Sequence, residues 1–156
     1  MPEPTQLDLS RYVPAIINLM ANKLATGASL CYRKHFGVGV VEWRLLAMLK
    51  VEDNITANRM CQAIGLDKGA VSRSLQQLEK AGYISSQVDS QDGRRNTVSL
   101  TAEGLALHDR VLKVALERER RLLGGLSEGE VDTLINLLGR LQAQVSYVNE
   151  YDPVEP

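Results

Sequence analysis

From about Leu9 to His35, Ile16, Ile17, Met20, Leu24, Ala28 and Cys31 recur at mixed three- and four-residue spacing, which predicts a long helix. Pro14 suits a place near its start, and Gly37 and Gly39 break the pattern after it. Residues 41–50, VEWRLLAMLK, predict a second helix with Leu45, Leu46, Met48 and Leu49 inside and Trp43 as a large anchor. Thr56 can cap a short third helix, TANRMCQAIG, in which Ala57, Met60, Cys61 and Ile64 face inward and which Gly65 ends. Residues 67–82, DKGAVSRSLQQLEKAG, carry the best-marked helix. Asp67 is placed to cap its first turn, Gly82 to end it in a left-handed residue, and Val71, Leu75 and Leu78 form one narrow apolar stripe. The opposite face holds Lys68, Gly69, Ser72, Arg73, Gln76, Gln77 and Lys80.

After Gly82 the period changes. YISSQVD and the β-branched NTVSL read as two strands, and Asp92-Gly93 between them is a strong hairpin-turn signal that puts Arg94 and Arg95 at or near the tip. Thr101 opens a long helix to about Leu123, with Leu105, His108, Leu112, Ala115 and Leu116 on one side, and Gly124-Gly125 stops it. Ser127 and Glu130 form an S-x-x-E capping box for the last helix, where Val131, Leu134, Ile135, Leu138, Leu141, Val145 and Val148 repeat every three or four residues as a packing face.

A short helix, a turn containing glycine and a helix with an exposed polar face make a helix-turn-helix, and the hairpin that follows at once makes it a winged one. The expected fold is therefore mainly α with a small β-hairpin: a winged helix-turn-helix whose N- and C-terminal helices form a dimerisation region. Residues 1–36 would be the N-terminal tail and dimerisation helix, 37–104 the winged DNA-binding domain, and 105–156 the C-terminal dimerisation helices. The terminal helices carry more apolar surface than a compact winged helix needs. Pairing them with a second copy would give a two-fold homodimer suited to a palindromic operator, with recognition helices about 34–36 Å apart.

Composition adds a surface-by-surface charge pattern. The formal net charge is only −1, yet residues 11–55 carry six Lys/Arg against three Asp/Glu and residues 56–96 carry six against four, while residues 127–156 carry one against six. A mildly basic middle and an acidic end fit DNA binding through one surface. The exposed face of the 67–82 helix offers an arginine, a serine and glutamines for base edges and phosphates, with small residues that allow close approach, and a basic hairpin tip suits a minor groove or phosphate.

Other classes find little support. No apolar run is long enough to span a bilayer and no signal peptide is visible, so a cytoplasmic protein without membrane partners is expected. Cys31 and Cys61 are isolated, without zinc or disulfide spacing, and read as buried thiols. Two distant histidines and the lack of phosphate-loop or hydrolase motifs leave no catalytic constellation, no metal site and no cofactor.

The order of these elements, with DKGAVSRSLQQLEKAGYI, DGRRNTVSLTAEG and LSEGEVDTLINLL, resembles the MarR (multiple antibiotic resistance regulator) family over about residues 9–148. The most specific piece is the D-x-R stretch running into L-T-x-x-G. The resemblance implies that Arg94 is the main wing contact to DNA, with Arg95 beside it and Asp92 bracing the wing by pairing with an arginine. It also implies that Ser72 and Arg73, with Lys68, Gly69 and Gln76 nearby, face the major groove, and that Thr56, Ala57 and Asn58 touch the DNA backbone. Because members are usually homodimers that repress nearby genes and often answer to an aromatic acid or related phenolic compound, the resemblance implies a homodimeric repressor released by a small aromatic ligand, an acid or its thioester. The matching pocket would draw on Arg11, Tyr12, Tyr32, His35, Trp43, Arg44 and His108, an arginine pairing the carboxylate. The alternatives are a redox-sensing repressor using Cys31 or Cys61, which needs an exposed thiol of lowered pKa, and an interaction module that does not bind DNA.

Overall fold

The computed structural model describes residues 6–88 and 96–154. In chain order the elements are α1 (Val13–Phe36), α2 (Val40–Val51), β1 (Ile55–Thr56), α3 (Ala57–Ile64), α4 (Lys68–Lys80), β2 (Ile84–Val88), β3 (Asn96–Leu100), α5 (Ala102–Leu122) and α6 (Glu128–Asn149). Pro14 lies in the first turn of α1, where the amide that proline lacks has no intrahelical partner to lose. Side chains cap the starts of α3, α4 and α6: Thr56 Oγ1 accepts from Arg59 N at 3.2 Å, Asp67 Oδ1 from Ala70 N at 2.7 Å, and Ser127 Oγ from Glu130 N at 3.2 Å. Glu130 returns the bond, its carboxylate accepting from Ser127 N at 3.1 Å, so the predicted capping box is complete and the Glu130 carboxyl is held below its usual pKa.

The end of α4 shows how the chain turns from helix to strand. Gly82 is left-handed with φ 83°, its amide bonds to Glu79 O, and the Tyr83 amide reaches back to Leu78 O. This double closure satisfies the last carbonyls and directs the chain into β2. The expected two-stranded hairpin is enlarged to three strands. β1 pairs antiparallel with β3, Ile55 opposite Val98 and Thr56 opposite Thr97, giving the order β1-β3-β2.

The chain forms two compact units, residues 1–113 and 114–156. The first has a core of Leu45, Leu46 and Leu49 from α2, Met60 from α3, Val71 and Leu78 from α4, Ile84 and Val98 from the sheet, and Leu107 and Val111 from α5. The three α2 leucines are 0% exposed, and each such burial contributes roughly 1.5–3 kcal/mol. Met48 and Trp43, also expected inside, are half-buried, as are Ala57, Cys61 and Ile64 of α3.

The side expected to be apolar on α5 is only partly covered, His108 buried and Leu112 and Ala115 half-buried. The buried residues of the helix are Gly104, Leu107, His108 and Val111, while Leu105 and Leu116 are exposed. α5 carries two apolar stripes, and Leu107 and Val111 are the ones that meet the core. For the same reason the first unit reaches Lys113.

In the second unit no residue of α6 is buried. Val131 and Leu134 are half-buried, whereas Ile135, Leu138, Leu141, Val145 and Val148 stand exposed. Near the end of α5, Glu117 accepts bonds from Arg120 and Arg121, and these two guanidinium groups lower its carboxyl pKa to about 2. A folded-state pKa below the ordinary 4.5 means that this attraction is present in full above about pH 4.5 and is lost as pH falls toward 2. Glu117→Gln is expected to lack that part of the acid transition, which a far-ultraviolet circular dichroism titration of both proteins would reveal.

Candidate nucleic-acid interface

α3 and α4 form the helix-turn-helix, with Leu66 and Asp67 between Gly65 and the first residue of α4. α3 is tied to the end of α2 by a two-point ion pair: Arg59 Nη2 lies 2.7 Å from Glu52 Oε1, and Arg59 Nε 3.0 Å from Glu52 Oε2. The guanidinium holds the Glu52 carboxyl below its usual range. Sequence reasoning missed this pair because it spans a turn, where no helical spacing signals it.

α4 divides as its pattern predicts. Val71, Ser74, Leu75 and Leu78 are buried, and Lys68, Gly69, Ser72, Arg73, Gln76, Gln77 and Lys80 are exposed together along the other side. That face presents Lys68 in its first turn, Ser72 and Arg73 in the second, Gln76 and Gln77 in the third and Lys80 at its end, donors that fit phosphate oxygens and the acceptor edge of guanine. At the start of α3, Asn58 is exposed and Ala57 half-buried. Thr56 spends one lone pair on its cap, which leaves its hydroxyl proton available to a phosphate.

Thr101 joins the turn after α4 to the start of α5. Thr101 Oγ1 donates to Gly82 O at 2.6 Å and accepts from Gly104 N at 3.1 Å, while Thr101 N bonds to Tyr83 O. A Cβ on Gly104 would collide with the Tyr83 carbonyl oxygen and stand 2.9 Å from its carbon. The T-x-x-G spacing thus has a physical cause: the threonine bolts α5 to the turn after α4, and the glycine leaves room for the carbonyl beneath it.

The base of the wing is regular, with β2 and β3 in antiparallel register from Ile84 opposite Leu100 to Val88 opposite Asn96. Asp53 and Asn54 fasten the inner end, away from the tip, Asp53 Oδ1 accepting from Leu100 N at 3.3 Å and Asn54 Oδ1 from Ser99 Oγ at 3.4 Å. Asp92, Arg94 and Arg95 lie outside the described residues.

Of the residues expected at a ligand pocket, three come together. The Trp43 ring stacks on His108 at 5.3 Å between centroids and meets Tyr32 edge-on at 6.2 Å. His108 is 5% exposed and its Nδ1 is 2.9 Å from Asp109 Oδ1. Arg44 is exposed on α2, and His35 is exposed near the end of α1 with its ring 6.3 Å from Phe36. Arg11 and Tyr12 stand apart from these rings in the single chain. They precede α1, and with twenty residues of helix at 1.5 Å each Tyr12 stands about 30 Å from Tyr32 in the same chain. Arg11 and Tyr12 therefore do not join that ring cluster within one chain. Cys31 and Cys61 are free and half-buried. Among the described residues, no three His, Cys, Asp or Glu side chains gather where they could hold a metal, and no helix is long and apolar enough to cross a membrane.

Helix-turn-helix, three-stranded sheet and the α5 bolt together define a winged helix-turn-helix, and comparison with known proteins agrees. A MarR-family sequence model matches residues 36–95. A solved MarR/EmrR family transcriptional regulator from Acinetobacter sp. ADP1 is 35% identical, with 90% of this chain and 99% of that one covered and a TM-score of 0.85. This chain belongs to the MarR family of transcriptional regulators. The same fold recurs in S. aureus MepR, solved as a DNA complex (23% identical, 85% and 95% covered, TM-score 0.75). It recurs also in PcaV from Streptomyces coelicolor, solved with its natural ligand (22% identical, 91% and 99% covered, TM-score 0.76).

Proposed function

We propose that this protein is a cytoplasmic, homodimeric repressor that binds a palindromic operator through α4 and the wing and leaves it when a small aromatic acid or its thioester binds. The observation that carries the reading is the exposed face of α4, where Lys68, Gly69, Ser72, Arg73 and Gln76 share one side of a helix whose other side is fixed in the core. MepR in its DNA complex and PcaV with its ligand support it as relatives in fold.

In this reading α4 enters the major groove, Arg73 and Gln76 read base edges, and Lys68, Ser72 and the start of α3 at Thr56, Ala57 and Asn58 hold phosphates. Arg94, with Arg95 beside it and Asp92 as its brace, serves the flanking groove. The homodimer is supported by the apolar positions that each unit leaves exposed: Ile16, Leu19, Met20 and Leu24 on α1, and the Ile135 to Val148 row on α6. The effector site would use the rings of Tyr32, Trp43 and His108 for stacking and Arg44 for the carboxylate, with His35 at its edge. Binding there releases DNA only if it favours a dimer geometry in which the two α4 helices no longer match the operator.

A mobility-shift titration on the DNA just upstream of the protein's own gene tests the reading, at two salt concentrations and with a panel of aromatic acids and their coenzyme A thioesters. Arg94→Ala is expected to weaken binding across sequences and to reduce the salt slope by about 1, and Arg73→Ala to relax base discrimination by roughly 1–3 kcal/mol. Wild-type binding by both variants would reject these faces.

A further inference from the structure

Gly69 occupies an exposed position in the first turn of α4, four residues before Arg73 and two after the Asp67 cap. Side chains in a helix lean toward its N-terminus, so residue 73 covers the surface around residue 69. A methyl group on Gly69 would stand 3.2 Å from Arg73 Nη1 and 3.2 Å from Asp67 Oδ1. The guanidinium therefore rests over a bare Cα, and the Asp67 carboxylate borders the same spot. We propose that Gly69 is a positioning residue for Arg73: its missing side chain is a seat that holds the guanidinium at the leading end of α4 before DNA arrives.

Two physical effects make the seat useful. The N-terminus of a helix repels a cation, and the Asp67 carboxylate at the rim offsets that repulsion. Bases are read by the N-terminal residues of a recognition helix, so a guanidinium folded toward that end already lies where a guanine edge would meet it and loses less rotamer freedom on binding. A larger residue at 69 would displace the guanidinium from this place, an easy movement for a flexible exposed side chain but one that leaves it misaligned. The proposal rests on the reading of α4 as the DNA-reading helix. It differs from the simpler role of a glycine there, which is to let the DNA backbone itself come close.

A double-mutant cycle with Gly69→Ala and Arg73→Ala separates the two roles. The probe is a duplex selected by the wild-type protein from a random-sequence pool, together with versions of it carrying single base-pair changes. With Arg73 present, Gly69→Ala is expected to weaken binding about tenfold and to relax discrimination at the same base pair as Arg73→Ala. In the Arg73→Ala background it should cost less than about twofold. The melting temperature of Gly69→Ala should hold or rise, because alanine favours helix over glycine. An equal loss in both backgrounds, or no loss with Arg73 present, overturns the seat while leaving Arg73 as a DNA contact. Wild-type binding by Arg73→Ala alone overturns the DNA reading of α4 and the seat with it.

Discussion

Gly104→Ala is expected to destabilise the protein by about 3 kcal/mol or more, because the added methyl group has backbone and not a pliant side chain in its way. Its Cβ would run into the Tyr83 carbonyl, which already accepts from the Thr101 amide. Relief requires α5 to lift from the turn after α4, and that movement also strains the Thr101 hydroxyl bonds to Gly82 and Gly104. Chemical denaturation followed by tryptophan fluorescence would measure the change, since Trp43 stacks on His108 of α5. Thr101→Ser retains the hydroxyl and should cost much less. A near-wild-type midpoint for Gly104→Ala would contradict the close approach.

The second large effect concerns α6. If α6 carries the homodimer contact proposed above, changing Leu138 and Leu141 together to aspartate is expected to leave each chain folded but monomeric and to abolish the proposed operator binding. Both side chains are exposed in the single chain, at 43% and 46%, so the substitution removes nothing from the core of the first unit. In a two-fold dimer it would remove four leucines from the interface; since each has less than half its surface left to cover, a gain of roughly 0.7–1.4 kcal/mol each is lost, and the dimer dissociation constant should rise by more than about 10²-fold. Sedimentation equilibrium on both proteins, with a melting curve to show that the variant folds, decides the matter. A dimeric variant would place the homodimer contact on other residues.

What the sequence made legible was local. The caps of α3, α4 and α6, the glycine after α4 and the division of α4 into two faces all depend on residues within a few positions of each other, and all are found as expected. What it hid were pairings across distance or choices between equivalent patterns. β1 has two residues, too few to show alternation, and exists because Ile55 and Thr56 meet Val98 and Thr97 some forty positions later. On α5 the leucines at 105, 112 and 116 form as good a stripe as Leu107 and Val111, and only the core decides which is covered. Gly104 reads in sequence as part of a motif, while the carbonyl that requires it sits on another element. At the site, the exposed face of α4 was fully readable, and the contact of Arg73 with Gly69 at the same i, i+4 spacing was not. Periodicity tells which residues share a face but not which side chain rests on which.

The register that fastens β2 to β3 also has a practical side. Five successive cross-strand pairs, closed at one end by Val88 and Asn96 and anchored at the other by Thr101, give the connecting residues 89–95 a fixed pair of attachment points independent of their own sequence. On the reading proposed above, a library of connectors between positions 88 and 96 is the one to screen for new flanking-sequence preference with α4 left unchanged, so that the two parts of operator recognition are re-engineered one at a time.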